Sequence, residues 1–183
     1  GLVGSEMCIR DRVSNLLSSG NQKAVNKLHE MSFLVYNLVI FPMIAGILIV
    51  NKDFVNFFLG QDFQDARYAI AIMVFRMFFI GWTNIMGIQI LIPHNKNREF
   101  MLSTTIPAVF SVGLNLLLIP PLGYIGASIV SVATEGLVWL IQLYFTRSYL
   151  KEVKILPSML KILLAALLMY GALYSAQAFM HFS

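Results

Sequence analysis

Five stretches of the chain run for about twenty residues with little polar interruption: 31–50 (MSFLVYNLVIFPMIAGILIV), 68–92, 100–119, 124–146 and 158–180. At ~1.5 Å rise per residue, twenty helical residues cover the ~30 Å hydrocarbon core of a bilayer. The runs do not alternate apolar and polar residues over segments of about ten, as the strands of a membrane barrel would. The pattern predicts an all-α, polytopic membrane helix bundle of about five spans.

The intervening segments add detail. Residues 13–30, with SSGNQKAVNKL, predict a basic juxtamembrane helix. The segment NKDFVNFFLGQDFQDAR is too apolar for a free loop and predicts a short interfacial helix around 53–59. Pro42 and Pro107 fall inside spans, where neighbouring helices can satisfy the carbonyls they free. Pro120, Pro121 and Gly123 predict a tight turn between the third and fourth spans.

Polar residues inside the spans carry the candidate chemistry. Arg76 and Glu135 each sit in the middle of an apolar stretch, where a charge costs at least ~2.5–3.5 kcal/mol on insertion scales. Such residues face a bundle interior or a watery cavity, paired with each other or with a polar substrate. At ~100° per residue, Arg76, Thr83 and Gly87 share one line on the second span, with Asn84 to one side. Ser128, Ser131, Glu135, Gln142 and Thr146 form a stripe on the fourth, with Trp139 among them. Thr104, Ala108, Ser111 and Asn115 align on the third. Small and hydroxyl residues also mediate close helix packing, which is the favoured reading for the third span. The carboxylate in the fourth stripe favours a cavity wall there. Counted from the same ends of their spans, Arg76 and Glu135 lie within roughly 5 Å in depth. The spacing allows a structural ion pair, or an anion contact at Arg76 with Glu135 as its partner or as a titrating group. Arg76, Asn84, Ser131, Glu135 and Gln142 are the candidate substrate-binding residues.

Composition sharpens the class. The chain is 58% hydrophobic and 12% charged, against about 25% charged in soluble proteins. Its net charge of +4 is spread through the loops between apolar segments, where a nucleic-acid-binding domain would gather it on one face. Positive-inside bias places 13–30, 93–99 and 147–157 in the cytoplasm. The single cysteine, Cys8, rules out an intramolecular disulfide framework and any multi-cysteine metal site. His29, His94 and His181 are scattered among presumed loops and ends, so no shared metal site is expected, and nothing calls for a cofactor or catalysis. Residues 1–12 (GLVGSEMCIRDR) read as a non-native leader, with neither an initiator Met nor the apolar core of a signal peptide.

The order of residues also resembles a family. RVSNLLSSGN leading into the first span, FFLGQDFQDARYAIAIMVFRMFFIGWTNIMGIQILIPHNKNREF, and SVGLNLLLIPPLGYIGASIVSVATEGLVWLIQ are similar to the C-terminal half of Wzx-type O-antigen and capsule repeat-unit flippases. These are transporters of the multidrug/oligosaccharidyl-lipid/polysaccharide exporter superfamily. The resemblance covers about residues 13–155. It rests on Leu59, Gly60 and Phe63, on Arg76 followed by Gln89–Pro93, on Asn115 through Pro120 to Gly123, Gly126 and Ala127, and on Glu135.

The resemblance implies twelve to fourteen helices in two lobes of the bacterial inner membrane. The lobes rock to carry an undecaprenyl-pyrophosphate-linked oligosaccharide to the external leaflet. It gives Arg76 a pyrophosphate to meet, and gives Asn84, Ser131 and Gln142 a sugar. It also implies a fragment, because an N-terminal lobe is missing and Asp11 stands where the family commonly has Pro. The expected partners are the lipid-linked oligosaccharide, membrane lipids and that missing lobe. A drug or cation antiporter of the same superfamily is the alternative, and would call for more acidic residues than Glu135. A membrane-embedded glycosyltransferase or polymerase finds no support in the short external loops, and a small channel formed by oligomerising five spans has little in its favour.

Overall fold

The structure is a computed structural model that describes residues 11–58, 60, 63–153 and 155–182, without the side chains of 176–182. The expected leader therefore lies outside the described residues except for Asp11 and Arg12. These two open a helix, α1, over residues 11–18. Where one juxtamembrane helix was expected over 13–30, the chain breaks at Gly20, whose φ of 70° favours glycine. The next helix starts at once, with the Asn21 side chain accepting from the Ala24 amide at 3.2 Å, an N-cap that satisfies one otherwise orphaned N–H.

That helix, α2, runs Gln22–Phe58 without a break at Pro42. At 37 residues it is ~55 Å long, well beyond the hydrocarbon core. The interfacial helix expected around 53–59 is its continuation as far as Phe58, Leu59 lying outside the described residues. Lys52 and Asp53 are polar but good enough helix residues, so nothing stops the helix where the apolar run ends. Next come α3 (Ala66–Asn84), a seven-residue π-helix (Ile85–Leu91), α4 (Asn97–Leu150) and α5 (Ile155–Phe182). The described residues contain four helices long and apolar enough to span a bilayer.

Of these, α4 is two spans in one. Fifty-four helical residues would extend ~80 Å if straight. At Gly123 the backbone leaves the helix, with φ 55° and ψ −131°, values glycine tolerates and other L-residues resist. The arms 97–122 and 124–150 then run back along each other. Close to the turn, the Leu118 carbonyl sits so near Gly126 that a Cβ there would overlap it. Far from it, Gln142 Nε2 donates to Ser103 Oγ at 3.2 Å, two residues nearly equidistant from Gly123 along the chain. Counting the arms separately recovers the five expected spans, and the turn falls where the Pro-Pro-x-Gly signal put it.

The core forms around α3 and its π-helical end. Phe33, Trp82, Ile85, Met86 and Ile90 are buried together, and Phe33 packs on Trp82 at 4.8 Å between ring centroids. In lipid there is no hydrophobic drive to bring helices together, so close packing and interhelical hydrogen bonds hold the bundle. Trp82 Nε1 donates to Asn37 Oδ1 at 3.0 Å, tying α3 to α2. The Tyr36 hydroxyl donates to the Met77 carbonyl, with its ring lying where a Cβ on Gly81 would be.

Candidate functional site

Arg76 lies midway along α3 and Glu135 on the second arm of α4, and the structure brings them together. Nη2 donates to Oε1 at 3.0 Å and Nε to the same oxygen at 3.3 Å. The pair is only half withdrawn, with side chains 37% and 20% exposed. Both bonds use one carboxylate oxygen, so the side chains meet obliquely. Nη1 has no protein partner among the described residues. The equal depths expected from residue counting are what allow the contact.

An aromatic wall lies beside the pair. Phe79, one turn on from Arg76, touches the Gly136 position and packs on Trp139 at 5.8 Å. Trp139 in turn meets Trp82 at 6.2 Å. Phe79 was missed in the sequence, although its i+3 spacing from Arg76 puts the two on one side of α3.

The other candidates divide. Ser131, one turn before Glu135, is half-buried, and Asn84 is exposed on α3. Gln142 is 1% exposed and lies in a helix contact. Its Nε2 bonds Ser103 and would be 3.1 Å from a Cβ on Gly87. Ser128 and Thr146 are likewise buried, each bonded to the carbonyl four residues back. The fourth-span stripe, favoured as a cavity wall, is thus a packing surface at both ends, and opens only around Ser131 and Glu135. Thr83 and Gly87, on the Arg76 line, are buried too. On the third span Ser111 and Asn115 are half-buried and bonded to each other at 3.3 Å, while Thr104 is exposed.

A second polar group was missed. His29, expected in a loop, is buried within α2 at 1% exposure, with Nε2 3.2 Å from the Gln89 main-chain oxygen. Pro93 explains the contact. The normal helical partner of the Gln89 carbonyl is the amide four residues on, and Pro93 has none. The next amide, that of His94, is taken by Ile90 at 3.3 Å. His29 supplies the donor that the main chain cannot.

Fold and site together define a polytopic α-helical membrane protein with an ion pair set among apolar spans. Proteins similar to it point the same way. An uncharacterized membrane protein of Methanocaldococcus jannaschii is 27% identical over 139 residues, 76% of this chain and 27% of that protein. An Escherichia coli (strain K12) protein named "Putative O-antigen transporter" is 29% identical over 134 residues, 68% of this chain and 31% of that protein. The chain spans less than a third of the length of either relative. No family model matches it, and no solved structure does.

Proposed function

We propose that the chain forms part of a flippase that moves undecaprenyl-pyrophosphate-linked oligosaccharide repeat units across the bacterial inner membrane by alternating access. The observation that carries the reading is Arg76. It is a permanent cation in an apolar span, it has a single carboxylate partner among the described residues, and it is open enough to meet a second anion. A guanidinium presents its donors as a planar fork that suits phosphate oxygens. The similarity to a protein named for O-antigen transport supports the substrate class. In this reading Asn84 and Ser131 offer hydrogen bonds to sugar hydroxyls, and the half-buried Trp139 and Phe79 offer ring faces. Gln142 holds the arms of α4 together, a change from the sugar-contact role first expected of it. The rest of the cavity comes from a further lobe. The positive-inside bias sets the end bearing His94 and Lys96 in the cytoplasm.

A cation antiporter would need Glu135 free to bind or release its ion. Here Arg76 occupies that carboxylate, so the flippase reading is preferred.

Binding decides the matter. The purified chain in lipid nanodiscs is titrated with undecaprenyl-pyrophosphate-linked oligosaccharide, with inorganic pyrophosphate as competitor. Arg76→Ala is expected to weaken binding at least tenfold, and Arg76→Lys by less. Equal binding by wild type and Arg76→Ala, both with intact helix content, would refute the assignment of Arg76.

A further inference from the structure

Three helices enclose a cavity beside the ion pair. α2 packs against both α3 and α5, and between the three lies a space of about 580 Å³. Phe78 and Phe79 of α3, Ala45 of α2, and Ala166 and Leu167 of α5 line it, and the lining is almost wholly apolar. Ligand cavities are commonly of roughly 300–1,000 Å³ with hydrophobic and aromatic walls. Ala45 and Ala166 are buried, whereas Phe75 and Leu167, also in the lining, are 49% and 57% exposed. The cavity therefore opens sideways, between α3 and α5. In a spanning bundle a sideways opening faces hydrocarbon, and an apolar lining has nothing with which to hold water. What fills it is a hydrocarbon chain.

The position of the cavity says which chain. Phe79 belongs to its lining and also to the aromatic wall at Gly136 and Trp139 beside Glu135. Along α3 it stands ~4.5 Å in rise and about 60° in azimuth from Arg76. The cation thus sits on the shoulder of the cavity, at the same depth, near the middle of the 26-residue span Ala66–Leu91. One molecule can occupy both places only if its anion is bonded directly to its hydrocarbon. A prenyl pyrophosphate is built so, with a single chain starting on a phosphate oxygen. A glycerophospholipid is not, because glycerol and two ester groups stand between its phosphate and its paired chains. We propose that the cavity between α2, α3 and α5 takes the first isoprene units of a polyprenyl chain whose pyrophosphate meets Arg76. The inference rests on the reading of Arg76 as a pyrophosphate contact. It adds that the protein grips the lipid tail at mid-membrane, where the bilayer alone would otherwise hold it.

The test is photolabelling of the whole chain in phosphatidylcholine nanodiscs, using geranylgeranyl pyrophosphate with a photoreactive group in its chain. Label is expected on α5 between Leu163 and Leu167 and on α3 around Phe75. Unlabelled undecaprenyl pyrophosphate should displace it, and phosphatidylglycerol should not. Ala166→Phe fills the cavity, and Leu167→Trp blocks its exposed edge without repacking the interior. Each should cut the label roughly fivefold or more by steric exclusion. Label found only on the outward side of the first α4 arm, at Leu116 and Leu117, overturns the proposal. Equal displacement by phosphatidylglycerol overturns it in favour of ordinary bilayer chains. A dimer that Leu167→Trp disperses overturns it in favour of a second copy of the chain. Arg76→Ala keeps the two readings apart, since it should raise the probe concentration needed for half-maximal label. Cavity label with that concentration unchanged overturns the reading of Arg76, and the proposal with it. A raised concentration with no label in the cavity overturns the proposal alone.

Discussion

The ion pair between Arg76 and Glu135 makes a sharp prediction about stability. Removing one partner leaves the other charge in an apolar span. A charge-assisted hydrogen bond is worth ~1.5–3 kcal/mol, and breaking a fully buried pair costs ~3–5 kcal/mol. Side-chain exposures of 37% and 20% call for discounting toward the weak values of exposed pairs. Arg76→Met and Glu135→Leu should therefore each cost about 2 kcal/mol. The double variant carries no charge at all, and replacing an ion pair by apolar residues of similar volume is often neutral or stabilising. It should lie within about 1 kcal/mol of wild type, so that the cycle yields a coupling of about 3–5 kcal/mol in magnitude. Denaturant unfolding in mixed micelles can read this through the two tryptophans. Trp82 and Trp139 lie 6.2 Å apart in the core that packs beside the pair. A coupling under about 0.5 kcal/mol, the scatter for independent sites, would show that the charges do not sense each other. The double variant also separates roles, because it should fold normally yet bind no lipid-linked pyrophosphate.

Four further outcomes are expected. Gly87→Ala puts a Cβ 2.6 Å from Phe100 Cε2 and should cost ~1–2 kcal/mol by overpacking. Gly113→Ala, with nothing within 4 Å, should gain ~0.5–1 kcal/mol from helix propensity, and thermal unfolding in detergent compares the two. Tyr36→Phe removes the hydroxyl that donates to the Met77 carbonyl, and should lower stability by ~0.5–1.5 kcal/mol in the same measurement. Gly123→Ala forces a Cβ into φ 55°, ψ −131° and should cost at least ~1–2 kcal/mol. Because only the hairpin turn is strained, distances between spin labels on the two arms of α4 should change more than those between α2 and α3.

The spans were legible because their signal, a long apolar run, is the property a bilayer selects. The turn at Gly123 was legible for a local reason, since Pro120, Pro121 and glycine together leave few other conformations. Helix ends were harder to read. Composition marks where a chain leaves hydrocarbon, not where it stops being helical, so α2 continues through Lys52 and Asp53 to Phe58. The polar stripes show the same limit. Periodicity states which side chains share a face, but the identity of the facing neighbour decides whether the face is wet. Gln142 and Glu135 share a stripe, yet one meets Ser103 across a helix hairpin and the other meets Arg76 at the open edge of α3.

The histidines teach the converse. Counted by position, His29 looked like a loop residue with nothing to do, and no apolar pattern places it inside. The signal was elsewhere, in Gln89 and Pro93. A proline four residues after Gln89 leaves that carbonyl without its helical donor, and a carbonyl so deprived within a spanning segment must find another. The sequence therefore announces a debt at Gln89 but not its creditor. Only the packing of α2 against the π-helix shows that His29 meets it, and meeting it with Nε2 is what turns Nδ1 into a buried acceptor. The same proline that ends the span thus sets which nitrogen of the His29 ring, more than sixty residues away in sequence, carries the proton.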